Sequence, residues 1–281
     1  MEDIKKSGLG IIKKLEKLAI IARKNILEMT TICEGGHLAG SLSCIDIIIT
    51  LYFSIMKYDP ANPDFQNRDR FILSKGHAAP ALYVALALAG YFPQKELLTL
   101  RKLNSRLQGH PDCKKLPGIE ISTGSLGQGL SVAVGMALGY KYDSKNANIY
   151  CLLGDGECDE GQVWEAALFA SSYNINNITA IIDRNWYQLD GKTESIIKLE
   201  PLDLKWRSFG WEVLKVDGHN YLELNESLKI SRGKRTVIIA DTVKGKGISF
   251  LENNNKYHSK PCSRQECTLA IKELDMKLDN L

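Results

Sequence analysis

No two cysteines in this sequence are spaced Cys-x-x-Cys, although there are seven of them: Cys33, Cys44, Cys113, Cys151, Cys158, Cys262 and Cys267. An odd and scattered set gives no basis for a disulfide framework and points to reduced thiols, so a cytoplasmic location is expected. Charge of one sign is also scarce. Lys+Arg 36 against Asp+Glu 33 leaves a formal net charge of +3, too little for an electrostatic grip on nucleic acid or for a polybasic membrane anchor. No apolar run reaches the ~20 residues that a membrane-spanning helix requires. The most apolar one, Ile45 to Met56, contains Asp46 and reads as a buried helix. The N-terminus, Met1-Glu-Asp-Ile-Lys-Lys6, carries both charge signs and meets no long apolar run before Lys13 and Lys14, unlike a secretory signal. Internal repeats, low-complexity tracts and flexible Ser/Pro linkers are missing too. At roughly 150 residues per domain the 281 residues could form one domain or two. A single domain over 1–281 is expected, with an N-terminal helical arm and a C-terminal tail from about residue 262.

What is present is regular. Ile11, Leu15, Leu18, Ala22 and Ile26 recur at steps of three and four between lysines, which predicts an amphipathic first helix. Further helices are expected over Cys44–Met56, Ala78–Ala89, Gly127–Tyr140 and from near Glu160, with a loop over Lys57–Arg70. Phe71–Leu73, Ile149–Leu153, Ile178–Ile182, Val213–Val216 and Thr236–Ala240 are short apolar or β-branched runs, the last four separated by helix-length segments. That alternation predicts an α/β fold, a mostly parallel sheet with helices on both faces. Gly154-Asp155, Asp183, Asp217 and Asp241 follow the last four runs, at the edge where open parallel sheets bind ligands.

Gly154-Asp155-Gly156 after one strand and Asn185 after the next would place a carboxylate and an amide oxygen side by side. Hard cations such as Mg²⁺ take oxygen ligands of this kind together with phosphate oxygens. The glycines permit close approach of a bulky anion, and the helix from near Glu160 offers it a positive N-terminus. A dinucleotide G-x-G-x-x-G fails, because the third glycine arrives late at Gly161 and the middle residue is acidic. An EF-hand loop starting at Asp155 fails, because Glu160 stands where glycine is needed and Ala166 where the last ligand belongs. A simple acidic turn remains the bland alternative. Four of the five histidines follow glycine, at Gly36-His37, Gly76-His77, Gly109-His110 and Gly218-His219; the fifth is His258. Ser122-Thr-Gly-Ser-Leu-Gly-Gln-Gly129 opens an Ala/Val/Met/Gly helix and suits either ligand contact or tight packing.

These motifs carry a family resemblance. Arg68-Asp-Arg-Phe-Ile-Leu-Ser-Lys-Gly-His77, Gly109-His-Pro111, Ser122 to Gly129, Gly154-Asp-Gly156 with Asn185, Asp217-Gly-His219 and Lys244-Gly-Lys-Gly247 stand in the order found in transketolases. The resemblance runs from about Leu18 to about Pro261 and covers only the N-terminal, pyrophosphate-binding half, so the chain resembles the N-terminal subunit of a split transketolase. It implies thiamine diphosphate with a divalent metal, Mg²⁺ or alternatively Ca²⁺ or Mn²⁺. Asp155 and Asn185 would supply side-chain oxygens to the metal and Tyr187 its carbonyl, with Gly156 and His77 by the diphosphate and Lys244 by the cofactor. Gly124, Ser125 and Leu126 would line the aminopyrimidine. His37, His110 and His258 would face the thiazolium and substrate, with near-ordinary imidazoles suited to proton shuttling, and His219 would be structural.

The same resemblance implies transfer of a two-carbon ketol unit from a ketose or its phosphate to an aldose or its phosphate. The pyrimidine-protonating glutamate and the phosphate-gripping arginines belong to the family's other half. A C-terminal partner subunit, an α2β2 assembly and self-association as a homodimer are therefore expected. Gly135, Gly139, Ala166, Ala167 and Ala170 are candidates for close helix contact across an interface. Two departures stand out. In His37-Leu-Ala-Gly-Ser41 a hydroxyl expected at position 40 is missing, with Ser41 a possible replacement, and Arg184-Asn185-Trp186 replaces a pair of asparagines at the metal turn. The alternatives are the α-type subunit of a 2-oxo acid dehydrogenase or decarboxylase and a non-catalytic paralogue.

Overall fold

The computed structural model describes the backbone of residues 2–281 and side chains from Gly10 onward; the N-terminal hexapeptide, unlike a secretory signal in its sequence, lies outside the residues whose side chains are described. Five strands, β1 (Arg70–Leu73), β2 (Ile149–Gly154), β3 (Ile178–Arg184), β4 (Glu212–Asp217) and β5 (Thr236–Asp241), form one sheet in the order β1-β2-β3-β5-β4. Every neighbouring pair is parallel. β2 and β3 are buried along their whole length, so both are mainly apolar until β3 ends on Asp183 and Arg184, whereas edge strand β4 alternates.

One face of the sheet is covered by α1 (Glu2–Ile32), α2 (Leu38–Thr50), α3 (Ala79–Leu88), α8 (Tyr221–Ile230) and α9 (Arg264–Asp279). The other is covered by α4 (Gln128–Tyr142), α5 (Gly161–Ser172) and α7 (Leu202–Ser208), with a single turn α6 (Thr193–Ile196) in the β3–β4 connection. The expected helix over Cys44–Met56 begins earlier, at Leu38. Gly36 at φ +106 breaks the chain direction after α1, and His37 occupies the N-cap position. From Leu38 to Ile55 the chain is apolar and long enough to cross a membrane by composition, yet 83% of that stretch is buried inside the fold. The alanines expected on an open association face are a correction: Ala166, Ala167 and Ala170 point into the second core layer, and α5 turns Leu168 and Phe169 outward instead. Gly135 and Gly139 do lie on an open face, with no atom within 4 Å of a Cβ built there.

The single charge within α2 is neutralised where it is buried. Asp46 accepts two hydrogen bonds from Arg23 (2.8 and 2.6 Å), one from the Tyr221 hydroxyl (2.5 Å), and contacts His219 Nδ1 at 2.6 Å. Burial alone would raise its pKa, but the Arg23 charge outweighs that and keeps the carboxylate ionised. His219 Nε2 accepts from the Val243 N–H (2.8 Å) and Arg23 Nε donates to the Lys246 carbonyl (3.0 Å), so this knot fixes the loop that follows β5.

Candidate active site

The carboxyl ends of β1, β2, β3 and β5 surround a cavity of about 470 Å³. Its wall includes His37, His77, His110 and His258, with Asp155, Asn185, Tyr187 and Lys244. His258 arrives after β5, since parallel strands bring their following loops to one edge, whereas His37 reaches the same edge from the N-terminus of α2, ahead of the first strand. The imidazole centroids of His37 lie 5.1 Å from His77, 5.6 Å from His258 and 6.4 Å from His110. His219, read as structural, is absent from this wall and belongs to the Asp46 knot. Of the remaining expected residues, Gly124, Leu126 and Gly156 line the cavity, whereas Ser125 is exposed and does not.

Local packing explains the small residues. A Cβ on Gly76 would stand 2.7 Å from the backbone of Thr123 and Gly124, so glycine there lets the His77 loop touch the Ser122–Gly129 loop directly. Tyr83 donates to the carbonyls of Gln108 (2.9 Å) and His110 (3.0 Å), which fixes the third histidine loop. Ser41 does not replace the missing hydroxyl at position 40. Its Oγ donates to the His37 carbonyl one turn back (2.7 Å), and Gly40 faces the cavity.

The electrostatics correct the expectation of near-ordinary imidazoles. Burial, then the neighbouring charge of His110 and Arg101, pushes His37 down to about 4. Burial and Lys244 push His258 down to about 3, and His77 and His110 are lowered as well, again mainly by burial. All four rings are neutral near pH 7. Lys244 Nζ lies 2.7 Å from His258 Nδ1, and an ammonium can only donate, so the ring proton sits on Nε2. Burial, reinforced by Lys75, lowers Lys244 itself to about 8.

At the Gly154–Gly156 turn, Asp155 is 1% exposed; its Oδ1 accepts from the Gly156 N–H (2.8 Å) and its Oδ2 from the Trp186 N–H (2.7 Å) and Arg184 (3.2 Å). Burial and the adjacent Asp183 raise its pKa to about 6, against the opposing pull of Arg184. Asn185 Nδ2 donates to Asp183 (3.0 Å), which leaves its oxygen as the free end, contacted by the Tyr187 N–H at 3.2 Å. Asp183 in turn is fully buried and bonded by Lys75, Ser43 and Thr242. Glu157 ties Ser74, the Gly127 N–H (2.8 Å) and the Gly154 N–H (3.0 Å) into one unit. Lys75 and Glu157 were not picked out from sequence, and Asp183 and Arg184 were noted there only as a strand-end acid and a departure beside Asn185. Asp183 and Asn185 stand two apart and so share a face at the end of a strand, which was the available signal.

The residues suit a diphosphate cofactor with a hard cation. His37 Nδ1 is buried without a hydrogen-bond partner among the described residues, and Gly156 has no room for a Cβ, which would stand 2.8 Å from the Gln188 side chain. One carboxylate, one amide oxygen and a carbonyl form an all-oxygen donor set of the kind Mg²⁺ or Ca²⁺ accepts beside phosphate oxygens.

Comparison with known proteins places the chain among its relatives. The family described as "Transketolase, thiamine diphosphate binding domain" matches residues 16–280. The chain is 46% identical over 264 residues to the 6-deoxy-6-sulfo-D-fructose transketolase subunit SqwG of Clostridium sp. (strain MSTE9), covering 93% of this chain and 96% of that protein. It is 38% identical over 273 residues to an apulose-4-phosphate transketolase subunit of Phocaeicola vulgatus, covering 96% and 97%. The crystal structure of transketolase from Campylobacter jejuni superposes with a TM-score of 0.84 at 30% identity, covering 95% of this chain and 47% of that one. The chain thus spans about half of that transketolase and nearly all of the two subunits.

Proposed function

The chain belongs to the transketolase family as its thiamine diphosphate-binding domain, and from that premise we propose that it is the N-terminal subunit of a two-chain transketolase that moves a ketol unit from a ketose to an aldose. The observation that carries the reading is the convergence of four neutral imidazoles with Asp155 and Asn185 on one cavity. Several hydrogen-bonding rings suit a polyhydroxylated sugar better than a 2-oxo acid, which presents fewer groups to bind.

Thiamine diphosphate, when bound, supplies the nucleophilic carbon and the electron sink for carbon–carbon cleavage. The chain's own residues bind and orient. Asp155 and Asn185 would hold the divalent metal through side-chain oxygens and Tyr187 through its carbonyl, with Mg²⁺ as the natural occupant. Gly156 would let the diphosphate approach, His77 and Lys244 would flank it, and Gly124 and Leu126 would border the aminopyrimidine. His258, with its Nδ1 engaged by Lys244, offers an Nε2–H donor to a substrate oxygen. His37 and His110 accept or donate hydrogen bonds at the hydroxyl that loses its proton. Because these rings are neutral at pH 7 and held there, they position the substrate through hydrogen bonds.

The C-terminal partner would seat over the cavity, whose wall carries the exposed apolar Leu189. Leu168, Phe169 and Tyr173 on and after α5 would serve self-association, giving an α2β2 assembly. The test is a ketol-transfer assay with light scattering before and after mixing the chain with its C-terminal partner. Activity and the larger assembly should appear together. Full activity in the isolated chain would overturn the two-chain reading.

A further inference from the structure

Arg184 ends β3 beside the metal turn, is 1% exposed, and belongs to neither the substrate wall nor the fold's apolar layers. Its Nη1 donates to Asp155 Oδ2 (3.2 Å) and Thr193 Oγ1 (2.7 Å), and its Nη2 to Glu194 (2.7 Å) and Glu200 (3.1 Å). Its guanidinium lies 3.8 Å from the Trp186 ring centroid, and the Trp186 indole is itself anchored on Asp241 at 2.7 Å. Among the described residues no other cation bonds Asp155, since Lys75 is engaged with Asp183.

Resting on the reading of Asp155, Asn185 and Tyr187 as a cation site, we infer that Arg184 is the resident counter-charge of Asp155 and sets the divalent-cation affinity of this protein. A carboxylate this buried needs a positive neighbour to stay ionised. Arg184 fills that role from within the chain, and four hydrogen bonds and an aromatic face prevent it from swinging away when a cation arrives. The incoming cation therefore meets a fixed like charge bonded to its own ligand, and like charges in a partly dry site repel strongly. Glu194 and Glu200, at the far end of the guanidinium, moderate that repulsion. They are partly exposed, at 31% and 43% of the side chain, so they can be altered without opening the core.

The inference fixes two opposite signs. Arg184→Gln removes the competing charge and, compared at a pH where Asp155 is ionised in both proteins, should tighten Mn²⁺ binding by about tenfold or more, where tenfold corresponds to ~1.4 kcal/mol. Glu200→Gln leaves the guanidinium less compensated and should weaken Mn²⁺ binding severalfold, while Arg184→Lys, which keeps the charge, should stay near the parent value. Mn²⁺ is titrated calorimetrically into the full chain, first by itself and then reconstituted with thiamine diphosphate and the C-terminal partner. Trp186 emission, changed as the cation reaches Asp155, gives a second readout. A purely structural Arg184 would lower thermal stability without these opposed shifts in affinity. Mn²⁺ binding that is equal in the parent and Arg184→Gln proteins, or unchanged in Glu200→Gln if Arg184→Gln does not fold, overturns the inference and leaves the cation site standing. No Mn²⁺ binding in any of the proteins overturns the cation site and the inference with it.

Discussion

Replacing His258 by glutamine tests the electrostatics of the cavity directly. Glutamine keeps a polar, hydrogen-bonding side chain but does not titrate. In the fold the imidazole is pushed down to about 3 by burial and by Lys244, whereas an unfolded chain restores it to about 6.5. A histidine with a depressed folded pKa contributes its full share of stability above pH 6.5 and loses it as pH falls, because only the unfolded state gains the proton. At pH 5 the gap of about 1.5 pH units below the unfolded value, at ~1.36 kcal/mol each, amounts to about 2 kcal/mol. Partial solvent access to the ring screens this to about 1 kcal/mol. Urea unfolding from pH 7.5 to pH 5, followed through the buried tryptophans Trp206 and Trp211, measures it. The stability of His258→Gln relative to the parent should rise by about 1 kcal/mol across that range. Two curves that stay parallel would refute the account of a neutral ring held against Lys244.

Asp155→Ala removes the one carboxylate assigned to the cation and should lower cation-dependent cofactor affinity more than about tenfold, measured by calorimetry on the assembled enzyme; unchanged affinity would reduce Gly154-Asp155-Gly156 to a turn. His37→Ala should lower turnover far more than cofactor affinity, because the His37 side chain lines the cavity among the other imidazoles, and equal losses in steady-state kinetics and binding would make it a wall residue. Asp46→Ala leaves Arg23 buried without its carboxylate and should cost about 3–5 kcal/mol in chemical denaturation, accompanied by weaker cofactor binding as the Lys244 loop loosens. A loss under about 1 kcal/mol would show that the knot is not a stability centre.

Local chemistry was sufficient to find the strands and to bring out most of the expected side chains that the fold gathers on one cavity. Runs such as Ile149–Leu153 and Ile178–Ile182 are apolar on both sides because helices cover both faces, and that alone identifies interior parallel strands. Gly154-Asp155-Gly156, Asn185 and the Gly-His pairs were legible as a set, since each alone also suits an ordinary turn or core position, and His219 does belong to the Asp46 knot instead of the cavity. Helix faces were less legible: Ala166, Ala167 and Ala170 look equally suited to an interface and to a core, and only the position of α5 against the sheet sends them inward. The start of α2 depended on Gly36 adopting a left-handed φ, which a sequence allows without requiring.

The α/β pattern and the roster of chemically able side chains follow from periodicity and residue type, and both are fixed before the chain folds. The protonation of those side chains was decided by the tertiary structure. Burial beside Lys244 and Lys75 turns ordinary histidines into neutral hydrogen-bonding rings, and the packing of Arg184 onto Asp155 gives a conspicuous sequence departure a charge to balance. A pKa depends on which charges lie within a few ångströms and on how much water is excluded, and neither is defined until distant segments of the chain have met.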